Sequence, residues 1–197
     1  MTLYLASGSP RRAELLQQIA VPFTVLKAPD IDETPRNNEL PQAYVERMAK
    51  EKSRVGEQRR QMEGLPDGAV LGADTAVVLD NAILGKPRDR DHAMEMLAAL
   101  SGVEHEVMSA LALTCGNAVE VACSITRVRF RELDEQQLAR YVDTGEGDDK
   151  AGGYGIQGLG GALVAQISGS YSGVVGLPLE QTVALLEQVG IEYWRID

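Results

Sequence analysis

Asp74 stands inside the apolar run Ala69–Leu79, with Val70, Leu71, Val77 and Val78 around it. A carboxylate among aliphatic side chains is costly to bury unless it is paired or bound to a metal. Gly72-Ala73-Asp74-Thr75 therefore marks a functional carboxylate or a strand-end turn capped by its Asp. The segment Ser7-Gly8-Ser9-Pro10-Arg11-Arg12 offers complementary chemistry. A strand, a small-residue loop and a helix start leave backbone N–H groups free at the positive end of a helix dipole. Arginine adds forked donors suited to phosphate oxygens. Alone, the same residues also describe a well-capped surface helix with solvated arginines. Asp32-Glu33 is either a source of oxygen ligands for a hard cation such as Mg²⁺ or a solvated loop pair. Lys50, Lys52, Lys86 and Lys150 are the remaining cations of interest, each equally readable as a surface lysine.

Other patterns are excluded by context. Gly153-Tyr154-Gly155-Ile156-Gln157-Gly158 matches a dinucleotide fingerprint in letters only. It follows a polar stretch and leads into a strand, whereas the fingerprint must follow a strand and open a helix. A close-approach loop lining a cleft accounts better for so many glycines. A Walker loop is missing, and His92 and His105 are too far apart in sequence for a local zinc pair or a serine-protease constellation.

These residues need elements to hold them. Thr2–Ser7 reads as a strand, with Ser9 as N-cap and Pro10 opening a helix to Ala20. A second strand over Pro22–Ala28 and a polar loop over Asp30–Glu39 lead to a helix from Pro41 to Gln58, with Tyr44, Val45, Met48 and Ala49 inward. On this helix Lys50 and Lys52 are expected on neighbouring faces. Ala69–Leu79 reverses at Asp80-Asn81 into Ala82–Leu84, and a helix follows over Asp89–Leu100. Glu104–Thr114 and Ala118–Phe130 form a hairpin about Gly116-Asn117, which sets Cys115 opposite Ala118 and Cys123 opposite Ala110. The thiols are therefore expected free and buried. Asp134–Val142 is a short helix, Lys150–Gly161 an irregular glycine-dense stretch, Ala162–Ile167 a strand, Leu179–Val189 a helix and Ile191–Ile196 a closing strand. The mixture predicts an α/β fold on a mixed sheet, as a single domain over residues 1–197.

The chain carries a net charge of −10, with 44% hydrophobic and 24% charged residues. That balance argues against a nucleic-acid polymer as partner. A phosphate-bearing substrate would need the few cations gathered in one cleft, with a divalent metal to help. No apolar stretch is long enough to span a membrane or to read as a signal peptide. Cytoplasmic residence is expected.

Read together and in order, these motifs, with Ala49-Lys50-Glu51-Lys52, Gly85-Lys86-Pro87, Asp149-Lys150-Ala151-Gly152 and Val175-Gly176-Leu177-Pro178, resemble the Maf family of nucleotide pyrophosphatases over essentially the whole chain. The resemblance implies a fold like that of the inosine-triphosphate pyrophosphatases, with two lobes around a long mixed sheet and a central cleft. It implies hydrolysis of nucleoside triphosphates to the monophosphate and pyrophosphate with a divalent cation, Mg²⁺ or Mn²⁺. Asp74 would be the proton acceptor. Ser9, Arg12, Lys50, Lys52 and Lys86 would bind phosphates, and Glu33 with Asp74 would lie at the metal.

One subgroup of the family acts on 7-methyl-GTP and carries Trp, Gln and Glu where this chain has Arg11, Thr75 and Gln157. The present residues resemble the dTTP/UTP pyrophosphatases instead. A Trp face would attract a cationic methylated purine, whereas Arg and Gln offer donors to pyrimidine carbonyls. The expected partner is a small-molecule triphosphate, ordinary or modified, and a homodimer is compatible with the sequence. The rival reading is a nucleotide-binding regulator of septum formation. Asp74 discriminates, because a pure binder has no need of a buried base.

Overall fold

The computed structural model describes residues 1–27 and 31–194. The apolar run Thr2–Ala6 forms strand β1, which pairs in parallel with β2 (Phe23–Leu26) on one side and with β3 (Gly68–Leu79) on the other. Parallel partners need a crossover, and here helix α1 (Pro10–Gln18) and then helix α2 (Pro41–Met62) supply it. β3 turns back at Asp80 and Asn81, both at positive φ, into the short antiparallel β4 (Ala82–Leu84). Helix α3 (Arg90–Leu100) follows, its N-terminus capped by the Asp89 side chain. The hairpin of β5 (Glu104–Cys115) and β6 (Ala118–Phe130) adds antiparallel strands, and after helix α4 (Glu135–Val142) strand β7 (Val164–Ser168) closes that side. The sheet runs β2-β1-β3-β5-β6-β7, with β4 beside β3. Helices α5 (Tyr171–Val175) and α6 (Leu179–Gln188) end the described fold. Among the described residues no helix is long and apolar enough to cross a membrane.

This is the mixed α/β sheet with flanking helices that the alternation of segments predicts. Cys115 faces Ala118 and Cys123 faces Ala110, and both thiols are free, though half-buried where full burial was expected. Several expectations need correction. Residues 191–194 form no strand, because Trp194 sits at φ 57 and donates its N–H to Ile19, so the segment is tied to the end of α1. Residues 195 and 196, and Ala28 and Asp30 at the edges of the second strand and its loop, lie outside the described residues. Helix α2 runs one turn beyond Gln58, Ala162 and Leu163 belong to a 3₁₀ turn, and α5 was not foreseen. Ser9 holds the N-cap position of α1, but its hydroxyl caps no N–H.

Alternation along β3 distributes its side chains between cores. Ala69, Leu71 and Ala73 pack with Leu3 and Leu5, with Leu15 and Leu16 of α1, and with Leu185 and Leu186 of α6. Farther along, Val77 joins a second apolar mass with Leu97 of α3 and Leu138 of α4. Ala76 and Val78 pack instead beneath Val45, Met48 and Ala49 of α2. β1 accompanies β3 only as far as Leu5 opposite Leu71, and β4 joins only from Val77. On that edge no strand among the described residues pairs with Gly72–Ala76.

Helix α2 lies close on the sheet because glycine stands at the contact. A Cβ on Gly72 would fall on the Ala49 carbonyl oxygen and the Ser53 backbone, neither of which can yield without moving the helix. Ser53 adds a buried hydrogen bond to the Val70 carbonyl at 2.8 Å. Gly72→Ala should therefore destabilise the fold by about 3 kcal/mol and lower Tm by roughly 6–12 °C. Gly85→Ala, with nothing within 4 Å of its added Cβ, should leave Tm within a degree or two. Thermal melting of the two variants checks both.

Candidate active site

The gap beside β3 opens into a cleft of about 590 Å³. Its walls come from the loop and helix start at Ser7–Arg12, from Asp74 and Thr75, from Lys86, from the glycine-rich loop, and from Val174–Gly176. It lies between two apolar masses, with Val175 on one side and Val77, Val107 and Tyr154 on the other. Asp74 and Thr75 point to opposite faces of β3 yet border the same cavity, because the strand edge between them is uncovered.

Asp74 is 6% exposed. Its Oδ1 accepts from Lys52 Nζ at 2.6 Å, and the same ammonium meets Glu33 Oε1 at 2.7 Å. Burial pushes the Asp74 carboxyl above the ordinary aspartate range, against the pull of Lys52 and Arg12. Burial also resists ionisation of Glu33. There the Lys52 hydrogen bond and the charges of Lys52, Lys86 and Arg12 win, and the carboxyl is held below its usual value. The Glu33 loop is fixed from α2. Tyr44 donates its hydroxyl to the Glu33 carbonyl at 2.9 Å, and Arg47 donates to the Thr34 carbonyl and to Glu39.

Arg12 is spread across the cleft wall. Nε donates to the Gly176 carbonyl at 2.9 Å, and the terminal nitrogens to Ser7 Oγ at 3.1 Å and Thr75 Oγ1 at 3.4 Å. The surrounding protein strips away much of its water and lowers its pKa, with Asp74 opposing that effect. The Thr75 hydroxyl is anchored behind by Ser109 Oγ at 2.8 Å, which in turn donates to the Gly173 carbonyl at 2.6 Å. Lys86 is brought in by the strand end, where Gly152 donates its N–H to the Gly85 carbonyl at 3.0 Å. Gly152 sits at φ 71 against Val77, so a side chain there would both strain the backbone and collide with the strand.

The cleft thus gathers Ser9, Arg11, Arg12, Lys52, Thr75, Lys86 and Gln157 with Glu33 and Asp74. Lys50 is the exception. Positions two apart on a helix are about 200° apart, so Lys50 and Lys52 point nearly oppositely and not to neighbouring faces. Lys50 is exposed and borders a separate groove with Arg54, Gln61 and Val119. Asp32 likewise turns to its own loop, accepting from the Thr34 N–H at 2.9 Å. Sequence reasoning missed Glu146 and Asp149 as cleft residues, and Ser109 as a support. The polar stretch that carries Glu146 and Asp149 was the available signal for two of them. Nothing local marks Ser109.

Glu33 and Asp74 converge on one cationic point, the Lys52 ammonium, and their hard oxygen ligands suit Mg²⁺ or Mn²⁺. Among the described residues no group of three His, Cys, Asp or Glu side chains could hold a metal alone. Such a cation would need further oxygens from a phosphate substrate, the usual arrangement for Mg²⁺.

The model of the family described as Maf-like protein matches residues 2–189. The dTTP/UTP pyrophosphatase of Alcanivorax borkumensis is 62% identical over 197 residues, covering 100% of both chains. The proteins of that name from Nitrosospira multiformis and Hahella chejuensis are 50% and 51% identical, covering 98% of this chain and 97% and 94% of their own. A crystal structure of a nucleoside-triphosphatase / dITP/XTP pyrophosphatase from Mycobacterium abscessus superposes with a TM-score of 0.44 at 16% identity, over 96% of each chain. With its motifs assembled in one cleft and its length matched almost end to end, the chain belongs to the Maf family.

Proposed function

We propose that the protein is a nucleoside triphosphate pyrophosphatase that converts dTTP, UTP and modified pyrimidine triphosphates to the monophosphate and pyrophosphate. The observation that carries this reading is the buried Asp74, raised above the ordinary aspartate range and placed beneath the cations of a phosphate-sized cleft. Homologues named dTTP/UTP pyrophosphatase support the substrate class. The chain acts as a single domain over residues 1–197 and works in the cytoplasm. A pure nucleotide-binding regulator is not favoured, since those homologues carry an enzyme's name and a binder has no use for a base at this depth.

In this mechanism Ser9, Arg12, Lys52 and Lys86 hold the triphosphate chain and offset its charge. Asp74 accepts a proton from the attacking water. With Oδ1 engaged by Lys52, Oδ2 is the oxygen left to receive it. Glu33 and Asp74 would hold the divalent cation with the substrate's oxygens, and a cation there supplies charge neutralisation for the leaving pyrophosphate. Arg11, Thr75 and Gln157 face the base, where donors suit the pyrimidine carbonyls.

The bond broken tests the assignment. With Mg²⁺ or Mn²⁺, dTTP and UTP should release pyrophosphate, and chelation of the metal should stop the reaction. Orthophosphate and a diphosphate as main products would sink the reading.

Asp74→Asn keeps the shape and removes the base, so kcat should fall about a hundredfold or more while nucleotide binding, read by calorimetry, survives. In the parent enzyme kcat/KM reports the free protein, in which Asp74 must be ionised to act. Because its pKa is raised, the acid limb should lie above the ordinary aspartate range, with activity lost as pH falls through it. The Asn variant's residual rate should lack that limb.

Base reading rests on Gln157, which is exposed at the loop tip. Gln157→Glu replaces a donor by a charge, and kcat/KM for dTTP and UTP should drop on the order of tenfold to a hundredfold. Gln166→Glu, the same change on exposed β7, should leave the preference intact. Equal losses for purine and pyrimidine triphosphates would remove Gln157 from base selection.

A further inference from the structure

Gln157 is carried by Gly155-Ile156-Gln157-Gly158-Leu159-Gly160, a segment whose glycines bring no side chains to hold it. Its own backbone supplies 3₁₀-type bonds, Gly158 N–H to Gly155 carbonyl at 3.3 Å and Gly161 N–H to Gly158 carbonyl at 3.1 Å. Ile156 packs against both apolar masses, and the polar restraint comes from Glu146. Its Oε1 accepts from the Leu159 N–H at 2.7 Å, and Oε2 accepts from the Gly160 N–H at 2.7 Å and from the Tyr141 hydroxyl at 2.9 Å. The Tyr141 oxygen in turn accepts from the Gly155 N–H at 3.1 Å. One carboxylate and one phenol therefore grip the loop at both ends, with Gln157 between them.

The glycines follow from this grip. A Cβ on Gly158 would land on the Glu146 carboxylate, and one on Gly160 would come within 2.7 Å of the Tyr141 oxygen. Glu146 borders the cleft, but both of its oxygens are occupied by loop and Tyr141 donors. Three of its roughly four acceptor sites hold the loop and Tyr141, so its effect passes chiefly through the loop.

We propose that Glu146, working with Tyr141, is a positioning residue for base selection: it fixes the loop that presents Gln157 to the pyrimidine. The inference rests on the reading of Gln157 given above. Glu146→Gln tests it, since an amide has one accepting oxygen where the carboxylate has two, and one loop N–H then loses its partner. The KM of this variant for dTTP and UTP should rise about tenfold, with kcat within about twofold, and the preference over ATP and GTP should fall by a similar factor. Amide exchange at Leu159 and Gly160 should quicken, while the melting transition stays within a few degrees of the parent. Tyr141→Phe, which frees the Gly155 N–H, should shift KM in the same direction by about threefold, and it decides the matter if Glu146→Gln does not melt cooperatively.

Quickened exchange with full selectivity would overturn the proposal. So would a fall in kcat that is equal for every base at unchanged KM, which would place Glu146 in the chemistry. A parent enzyme indifferent between purine and pyrimidine triphosphates would instead overturn the pyrimidine reading itself, and this role with it.

Discussion

A carboxylate held in the middle of a strand, beneath a helix, is stable only if something neutralises it at short range. Asp74 meets that requirement through Lys52, and the cleft is arranged around the pair. Lys52 can reach Asp74 because α2 lies close on β3, and α2 lies close because Gly72 and Gly56 remove the side chains that would hold the two apart. The same helix carries Tyr44 and Arg47, which tie down the preceding loop and set Glu33 on the other side of the Lys52 ammonium. Strand packing, helix placement and the electrostatics of the buried carboxylate are thus one constraint. Loosening the helix would separate the carboxylates and return Asp74 toward an ordinary acidity.

The surplus of negative charge sharpens this. A chain of net charge −10 repels a triphosphate unless its cations are local and held. Arg12 is held by a backbone carbonyl and two hydroxyls and Lys52 by two carboxylates, while Lys150 binds the Glu146 carbonyl and Asp149. Arg12 spends its donors on neutral oxygens, so its charge remains available to an incoming phosphate. Lys52 is different, because its charge is already shared by Glu33 and Asp74. A substrate-bound divalent cation at those carboxylates would supply positive charge where Lys52 is spent, which is why the acidic pair and the metal belong in one reading.

Much of this was legible in the sequence, and what was not has a physical cause. The strand carrying Asp74, the Cys115–Ala118 and Cys123–Ala110 register and the anion-facing start of α1 follow from local pattern, turn chemistry and alternation. Lys50 was misjudged because the motif placed it beside Lys52, whereas helical geometry turns the two apart. The closing strand failed because Trp194 adopts a positive φ, a choice set by its bond to α1 and invisible in an alternating apolar run. Glu146 and Tyr141 were passed over because their task is to satisfy backbone N–H groups of a distant loop. Periodicity carries no trace of such a partnership. Only the glycines hinted that something packed against them.

One strand sends two neighbouring polar side chains, Asp74 and Thr75, into a single cavity. Successive side chains of a strand point to opposite faces, so Asp74 and Thr75 would ordinarily be separated by the sheet. Here β1 has ended and β4 has not begun, and the exposed edge of β3 lets both faces open into one cavity. Asp74 then answers to Lys52 on the α2 side, while Thr75 answers to Arg12 and Ser109 on the other. A slip of one residue would exchange the two and place a hydroxyl beside Lys52 where the carboxylate now lies. The pairing of β3 with β5, continuous from Ala69 opposite Cys115 to Val78 opposite Glu106, forbids that slip. The long antiparallel ladder is therefore what keeps the Asp74 carboxylate and the Thr75 hydroxyl in their separate places.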